Sequence, residues 1–396
     1  VSDETLTACD DRASAEGYVA KVCFKTGPPR LIGVELEWTV HDRTDPTRPI
    51  DPRTLSTALG DHAPPSLRPD SPHLPLSRGG LVTVEPGGQV EISTQPRASL
   101  AELLATTTAD IATLETLLGA AGLTLGSQGC DPHRPARRIL HTPRYAAMER
   151  AFDRHGPDGR MMMCGTAGVQ VCLDAGAPDR VAARWTALHL LGPVLIAAFA
   201  NSPCYAGRPT GWASGRMRAW YGTDPTRTRP PVPDGDPVAA WARRVLDTPL
   251  LCVRHTDGWE APAGVTFADW IGGALPVRPT FDDLDYHVST VFPPVRARGY
   301  LEVRYLDTQP GGEWLTPVAV LAALFTEEST VDAAIEAAAP ASGRWIPAAR
   351  HGLADPVLAR VAPRVFDLAA EALDGTDLPP DAIESVHRSL NRRRTS

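Results

Sequence analysis

Glutamates spaced two apart in short β-type runs constrain this chain more than any other feature. In Gly33-Val34-Glu35-Leu36-Glu37-Trp38, a strand puts Glu35 and Glu37 on one face and Val34, Leu36 and Trp38 on the other. Residues 81–85 and 89–94 flank Pro86-Gly87-Gly88, which is a hairpin signal. A three-residue loop there pairs Glu85 with Gln89 and Thr83 with Glu91. Glu85, Gln89 and Glu91 then share one face, and Val82, Val84, Val90 and Ile92 share the other. A two-residue loop would turn Glu85 and Glu91 to opposite faces, so the turn decides this step. In Tyr300-Leu301-Glu302-Val303-Arg304-Tyr305, Glu302 and Arg304 share a face. In residues 165–172, Thr166 and Gln170 fall on the polar side.

Polar-out alternation is ordinary for an antiparallel sheet with one solvated face. Here the glutamates would become like-charged cross-strand neighbours, which repel. Only two lysines, Lys21 and Lys25, exist to offset them. Bound cations resolve the conflict, and carboxylate and amide oxygens suit magnesium or manganese rather than zinc. Glu37, Glu85 and Glu91 are the candidate ligands. Metal ions with arginine and no nucleophile motif fit phosphoryl transfer, where positioning and charge neutralisation do the work. The chain has no Gly-x-x-x-x-Gly-Lys-[Ser/Thr] loop, no Gly-x-Ser-x-Gly and no His-Glu-x-x-His. ATP, if used, is held by metal and arginine on the sheet.

The 396 residues are 43% hydrophobic and 22% charged, an ordinary globular balance with room for a large core. A net charge of −8 argues against a general nucleic-acid binder. The basic run Arg392 to Arg394 reads as a solvated tail. Seven scattered cysteines without a Cys-x-x-Cys pair argue against a disulfide framework and a cysteine zinc site. The expectation is a reducing, cytoplasmic setting. Residues 1–12 are acidic and lack an apolar signal core. The apolar run 190–200 is too short to cross a bilayer, so a buried helix and no membrane partner are expected.

Residues 31–40 read as a strand, 44–75 as a long loop, and 161–173 as another strand. Ser99 with Glu102 opens a helix whose apolar face is Leu100, Leu103, Leu104, Ile111, Leu114 and Leu118. Residues 179–200 form a buried helix, and 201–236 are irregular. Residues 288–292 and 299–306 are strands. Thr316-Pro317, Asp355-Pro356 and Asp381 mark helix starts. The irregular spacing of strands favours an α+β fold with an antiparallel sheet over a doubly wound one.

At these strands the sequence resembles glutamate–cysteine ligases of the plant and proteobacterial type, and among them the actinobacterial members that feed ergothioneine synthesis. The resemblance rests on an ordered set: Gly33-Val34-Glu35-Leu36-Glu37, Glu85-Pro86-Gly87-Gly88-Gln89-Val90-Glu91-Ile92-Ser93, Gly165-Thr166-Ala167-Gly168-Val169-Gln170-Val171, Asn201-Ser202-Pro203, Arg208-Pro209-Thr210-Gly211-Trp212, and Phe292-Pro293-Pro294-Val295-Arg296 running into Arg298-Gly299-Tyr300-Leu301-Glu302-Val303-Arg304. It implies a curved antiparallel sheet funnel flanked by helices, like the glutamine synthetase catalytic domain. One catalytic domain would span 1–396, with core motifs at 31–307 and a helical part at 316–391. The resemblance also implies magnesium (or manganese) held by Glu35, Glu37, Glu85, Glu91 and Glu302. It places Arg304 on the transferring phosphate, and Arg216 and Arg218 in the segment that binds glutamate. Gln170 falls where some relatives carry a metal-binding histidine.

The implied substrates are L-glutamate, L-cysteine and ATP, joined through a γ-glutamyl phosphate. Thr166, Gln170 and His287 are further candidate substrate contacts, although a structural role is the first reading of His287. Met161 to Met163 and Trp212, Trp220 and Tyr221 read as packing. Another amine, or a binding protein that retains the sheet, would present the same motifs. Oligomeric state does not follow from sequence, and a monomer suffices.

Overall fold

A three-residue loop closes the hairpin at Pro86-Gly87-Gly88 in the computed structural model, which describes residues 7–231, 235–254 and 258–394. The Glu85 N–H donates to the Gln89 carbonyl at 2.8 Å, and Gly88 takes φ +91°, a conformation glycine adopts without a Cβ penalty. Thr83 therefore pairs with Glu91. The first six residues of the acidic N-terminal stretch and residues 232–234 of the Gly/Pro/Arg-rich segment lie outside the described residues.

Ten strands occur among the described residues: β1 (Ile32–Trp38), β2 (Val40–Asp42), β3 (Leu81–Val84), β4 (Val90–Ser93), β5 (Leu123–Leu125), β6 (Gly168–Leu173), β7 (Cys204–Tyr205), β8 (Arg208–Pro209), β9 (Val295–Ala297) and β10 (Leu301–Asp307). Six of them form an antiparallel sheet in the order β3-β4-β1-β6-β10-β9. The α+β architecture is as the strand spacing implied. Val34, Leu36, Val171, Leu301 and Val303 are all buried on the apolar face. That face is covered by the helix Val181–Phe199, where the Tyr305 hydroxyl reaches the Leu188 carbonyl at 3.2 Å.

The helices that matter for the site are α1 (Arg12–Cys23), α2 (Pro52–Leu59), α3 (Leu100–Ala120), α4 (Pro143–Asp153), α5 (Asp158–Gly165), α6 (Val181–Phe199) and α7 (Gly215–Thr223). Helix α6 is apolar and long enough to cross a membrane, but 78% of its apolar window is buried within the protein, so it is a core helix. Ser99 caps α3 by accepting from the Glu102 N–H, and Asp355 caps the helix Pro356–Leu373.

Several local expectations are corrected. Only Gly168–Leu173 of the expected strand 161–173 joins the sheet, and Thr166 makes an isolated bridge to Cys130. The methionine run before it is helical in α5, because methionine suits a helix and the run lacks alternation. The loop 44–75 contains α2, started by Asp51 as cap and Pro52 at the first position. The segment 201–236 contains α7, capped by Ser214. Residues 288–292 are not a strand: Val288 ends a helix from Phe281 that opens on a Thr280/Asp283 capping box. Thr316 is not a cap, since that helix starts at Leu315 out of a 3-10 turn, Gly311–Trp314.

Candidate active site

The register of the sheet sets the acidic residues side by side. Glu37 pairs with Glu91 across β1 and β4, Glu35 pairs with Gln170 across β1 and β6, and Glu302 pairs with Arg296 across β10 and β9. Between Val303 and Leu306 the β10–β6 register shifts. Arg304 lies in that irregularity, the kind of feature that re-aims a side chain beside a site.

A cavity of about 600 Å³ opens over this polar face. Glu35, Glu37, Glu91, Gln170 and Arg304 line it from the sheet, and Glu85 and Gln89 from the hairpin turn. Helices α4, α5 and α7 supply Arg144, Tyr145, Met148, Met162, Met163 and Trp220. Phe292, Arg296, Arg298 and Tyr300 close it on the β9 side. The lining thus combines carboxylates and guanidiniums with methionine and aromatic side chains.

The carboxylates differ in what holds them. Glu37 accepts from the Gly168 N–H at 2.8 Å and from the Gln170 amide at 2.9 Å. Glu91 accepts from the hydroxyls of Thr83 and Ser93, each at 2.9 Å. Burial, then the charges of Glu302 and Glu91, pushes Glu35 up to about 8. Burial, then Glu91 and Glu37, pushes Glu85 up to about 8, and burial with Glu37 pushes Glu91 up to about 7. Glu37 is also raised, chiefly by burial. Glu302 is the opposite case. Burial opposes its ionisation, but Arg296 and Arg304 outweigh that and hold it at about 2.

This donor set fits a hard divalent cation. It is all oxygen, it shares one cavity face, and its members resist ionising together unless positive charge arrives. It is not a preassembled cage: among the described residues no three His, Cys, Asp or Glu side chains converge to hold a metal ion. Glu302 departs furthest from the ligand role. It is fully buried behind the cavity wall, and its oxygens accept from Arg296 at 2.5 and 3.0 Å. Arg304 approaches the same carboxylate at 3.0 Å.

Arg304 also donates to the Gln170 amide oxygen, and its buried Nε–H has no partner among the described residues. Thr166 lines the cavity and donates its hydroxyl to the Met162 carbonyl at 2.7 Å. Arg216 is buried behind the site, donates to the Arg304 carbonyl at 2.8 Å and lies 5.0 Å over the Trp220 ring. It does not line the cavity. Arg218 points elsewhere and pairs with Asp158 at 2.9 Å. Positions two apart on a helix differ by about 200° in direction, so both cannot face one ligand. His287 is buried in the core, with Nε2 2.8 Å from the Val245 carbonyl and its ring stacked on Phe267. Neither Arg218 nor His287 lines the cavity.

Sequence reasoning missed Arg144, Tyr145, Met148, Arg296 and Arg298, and read Met162, Met163 and Trp220 as packing. Only Arg296 and Arg298 carried a signal, standing in a motif beside Glu302 and Arg304.

Comparison with known proteins identifies the class. The fold resembles a crystal structure of glutamate–cysteine ligase from Francisella tularensis in complex with AMP. The TM-score is 0.50 at 14% identity, over 93% of this chain and 82% of that one. At that identity the likeness is one of fold. In sequence, the chain is 38% identical to glutamate–cysteine ligase EgtA of Mycolicibacterium smegmatis, over 96% of this chain and 89% of that protein. It is 30% identical to the chloroplastic glutamate–cysteine ligase of Brassica juncea, over 74% of this chain and 60% of that one. Residues 31–390 match glutamate–cysteine ligase family 2, and the chain belongs to that family.

Proposed function

We propose that the protein joins the γ-carboxylate of L-glutamate to the amine of L-cysteine at the expense of ATP, giving γ-glutamylcysteine. The observation that carries this is the cavity itself, where an acidic sheet face meets Arg304, Arg296, Arg298 and Arg144. We assign the product to the first step of ergothioneine synthesis and the reaction to the cytoplasm, and the likeness to the actinobacterial enzyme supports this reading. The core motifs and the C-terminal helices are read as one catalytic unit. In support, α6 packs on the sheet through Tyr305, and its Ala198 carbonyl accepts from Arg393 at 3.0 Å.

The reaction needs no protein nucleophile, because the substrates supply both. The γ-carboxylate oxygen bonds to the γ-phosphorus of ATP and ADP leaves. The amine nitrogen then bonds to the acyl carbon of γ-glutamyl phosphate, losing a proton, and phosphate leaves. The protein contributes orientation and charge stabilisation. Arg304, whose Nε–H has no partner among the described residues and whose guanidinium is held by Glu302 and Gln170, is assigned to neutralising the transferring phosphoryl group. Arg216 supports it from behind through the Arg304 carbonyl. Glu35, Glu37, Glu85 and Glu91 would hold magnesium or manganese. When bound, the metal screens phosphate charge. Gln170 orients Glu37 and Arg304. Thr166 and the wall of Met148, Met162, Met163 and Trp220 shape the space for the amino-acid substrates.

The test is phosphate release from ATP and magnesium, with glutamate and cysteine supplied singly and together, and mass spectrometry for the dipeptide. Turnover that requires both amino acids and yields γ-glutamylcysteine is expected. Turnover with glutamate that cysteine does not raise would retain the acyl phosphate and replace cysteine by another amine. No turnover from folded protein would overturn the ligase reading.

A further inference from the structure

Glu302 is sealed behind two guanidiniums. It is 0% exposed and does not line the cavity, whereas Arg296 and Arg304 do. A cation entering from the cavity can reach this carboxylate only if a guanidinium moves.

The two arginines are not equally free to move. Arg304 is held by Glu302 and Gln170, and its backbone N–H donates to the Pro294 carbonyl at 2.9 Å. Arg216 braces the Arg304 carbonyl at 2.8 Å. Among the described residues, the side-chain hydrogen bonds of Arg296 go to Glu302 alone, from Nε at 2.5 Å and Nη2 at 3.0 Å. This is a paired, two-point contact, the strong form of an arginine–carboxylate bond. It occupies both oxygens that a metal would need.

We propose that Arg296 and a divalent cation compete for Glu302, and that the guanidinium released when the cation wins passes to the phosphates of the co-substrate in the same cavity. This rests on the ATP-dependent ligase reading. Its physical basis is the cost of an unpaired buried charge. If Arg296 lost Glu302 with nothing to replace it, a guanidinium only 6% exposed would have no anion. A polyphosphate on the cavity side supplies that anion. Cation and anion binding are then linked, each favouring the other by the same factor. Arg296 thereby acts as an internal placeholder, keeping Glu302 from taking a metal ion until nucleotide is present. Glu35 and Glu85 face the cavity with no such guanidinium clamp among the described residues and are open to a cation from the start.

The experiment titrates Mn2+ alone into the protein, following free Mn2+ by electron paramagnetic resonance. It is repeated with a non-hydrolysable ATP analogue. With no nucleotide present, Arg296→Gln should bind Mn2+ about tenfold more tightly than the unaltered protein, and the gain that nucleotide brings should shrink by the same factor. In a Glu302→Gln background, adding Arg296→Gln should change Mn2+ affinity by less than about twofold. Circular dichroism checks that each variant is folded. If Arg296→Gln does not fold, Arg296→Lys decides, because it keeps the charge but offers a point contact. It should tighten Mn2+ binding about threefold. Unchanged or weaker Mn2+ binding in a folded Arg296 variant would overturn the competition. It would leave the ligase reading standing, provided the unaltered protein binds Mn2+ with the nucleotide analogue and turns over ATP. No Mn2+ binding to the unaltered protein, even with the analogue, would bring down the metal-dependent reading together with this inference.

Discussion

Glu37 stands directly opposite Glu91 in the β1–β4 pairing, so two carboxylates occupy neighbouring positions on one sheet face. Adjacent like charges there oppose folding unless protons or cations are present. The effect on stability has a definite sign. Glu35 and Glu85, at about 8, and Glu91, at about 7, keep protons in the folded chain that the unfolded chain releases near 4.5. Their contribution is therefore lost as pH rises from about 4.5 to 8. His41 and His189, at about 4, and His287, at about 3, act oppositely. Burial keeps them neutral, so they add stability as pH rises towards 6.5. The two trends offset each other below pH 6.5 and only the carboxylate trend remains above it. Without divalent cations, Tm should fall by ~2–5 °C between pH 6.5 and 8. Magnesium should raise Tm more at pH 8 than at pH 6.5, and Glu85→Gln should flatten the fall. A Tm that rises across this interval would contradict the assignment.

Arg304→Ala should lower kcat by roughly 10²- to 10³-fold, in line with loss of one preorganised charge-stabilising group. The fold should persist, because Arg296 still satisfies Glu302. Steady-state rates beside a thermal melt check both parts. A near-normal rate would remove Arg304 from the mechanism.

Trp220 contacts two guanidiniums, with Arg216 at 5.0 Å and Arg304 at 5.5 Å from its ring, and its indole N–H donates to the Phe292 carbonyl at 2.9 Å. Replacing it by leucine removes both cation–π contacts, each worth ~0.5–2 kcal/mol. Trp220→Leu should cut kcat about tenfold or more. Trp220→Phe keeps an aromatic face and should retain most of the activity. Equal losses in the two variants would mean that volume or the indole hydrogen bond, not the π face, matters.

Gly87 fixes the turn that presents Glu85. A Cβ there would overlap the carbonyl oxygen of Cys164, a backbone atom that cannot swing aside. Gly87→Ala should cost about 2–4 kcal/mol and yield little soluble protein. Gly211→Ala has open space and only its positive φ to strain it, so it should cost about 1 kcal/mol. Chemical denaturation of the two variants compares them directly.

If Arg218 and His287 lie outside the cavity as found, Arg218→Ala should leave KM for glutamate within about twofold. His287→Ala should lower Tm without changing KM. A large KM effect from folded Arg218→Ala would restore its substrate role.

The sheet and its acidic face were legible because a strand has a fixed side-chain period. Residues 34–38 and 81–94 could sort into faces only one way once the turn was a three-residue loop. The caps at Ser99 and Asp355 were equally local, since each satisfies N–H groups within three residues. The run 161–173 was not, because a short apolar stretch without alternation suits helix or strand until its neighbours choose. The same limit applied to the site. Glu35, Glu37, Glu85, Glu91 and Arg304 declared themselves through periodicity and motif. Which arginines would face them was a matter of register and crossing elements. Arg144 comes from α4 and Arg296 from β9, far from the hairpin in sequence, and only the packed chain brings them to one cavity. Glu302 shows the division most plainly. Strand alternation alone puts a carboxylate on that face of β10. Its burial behind Arg296 and Arg304 comes from packing, because a charge with no access to water must find its counter-charge among its packed neighbours.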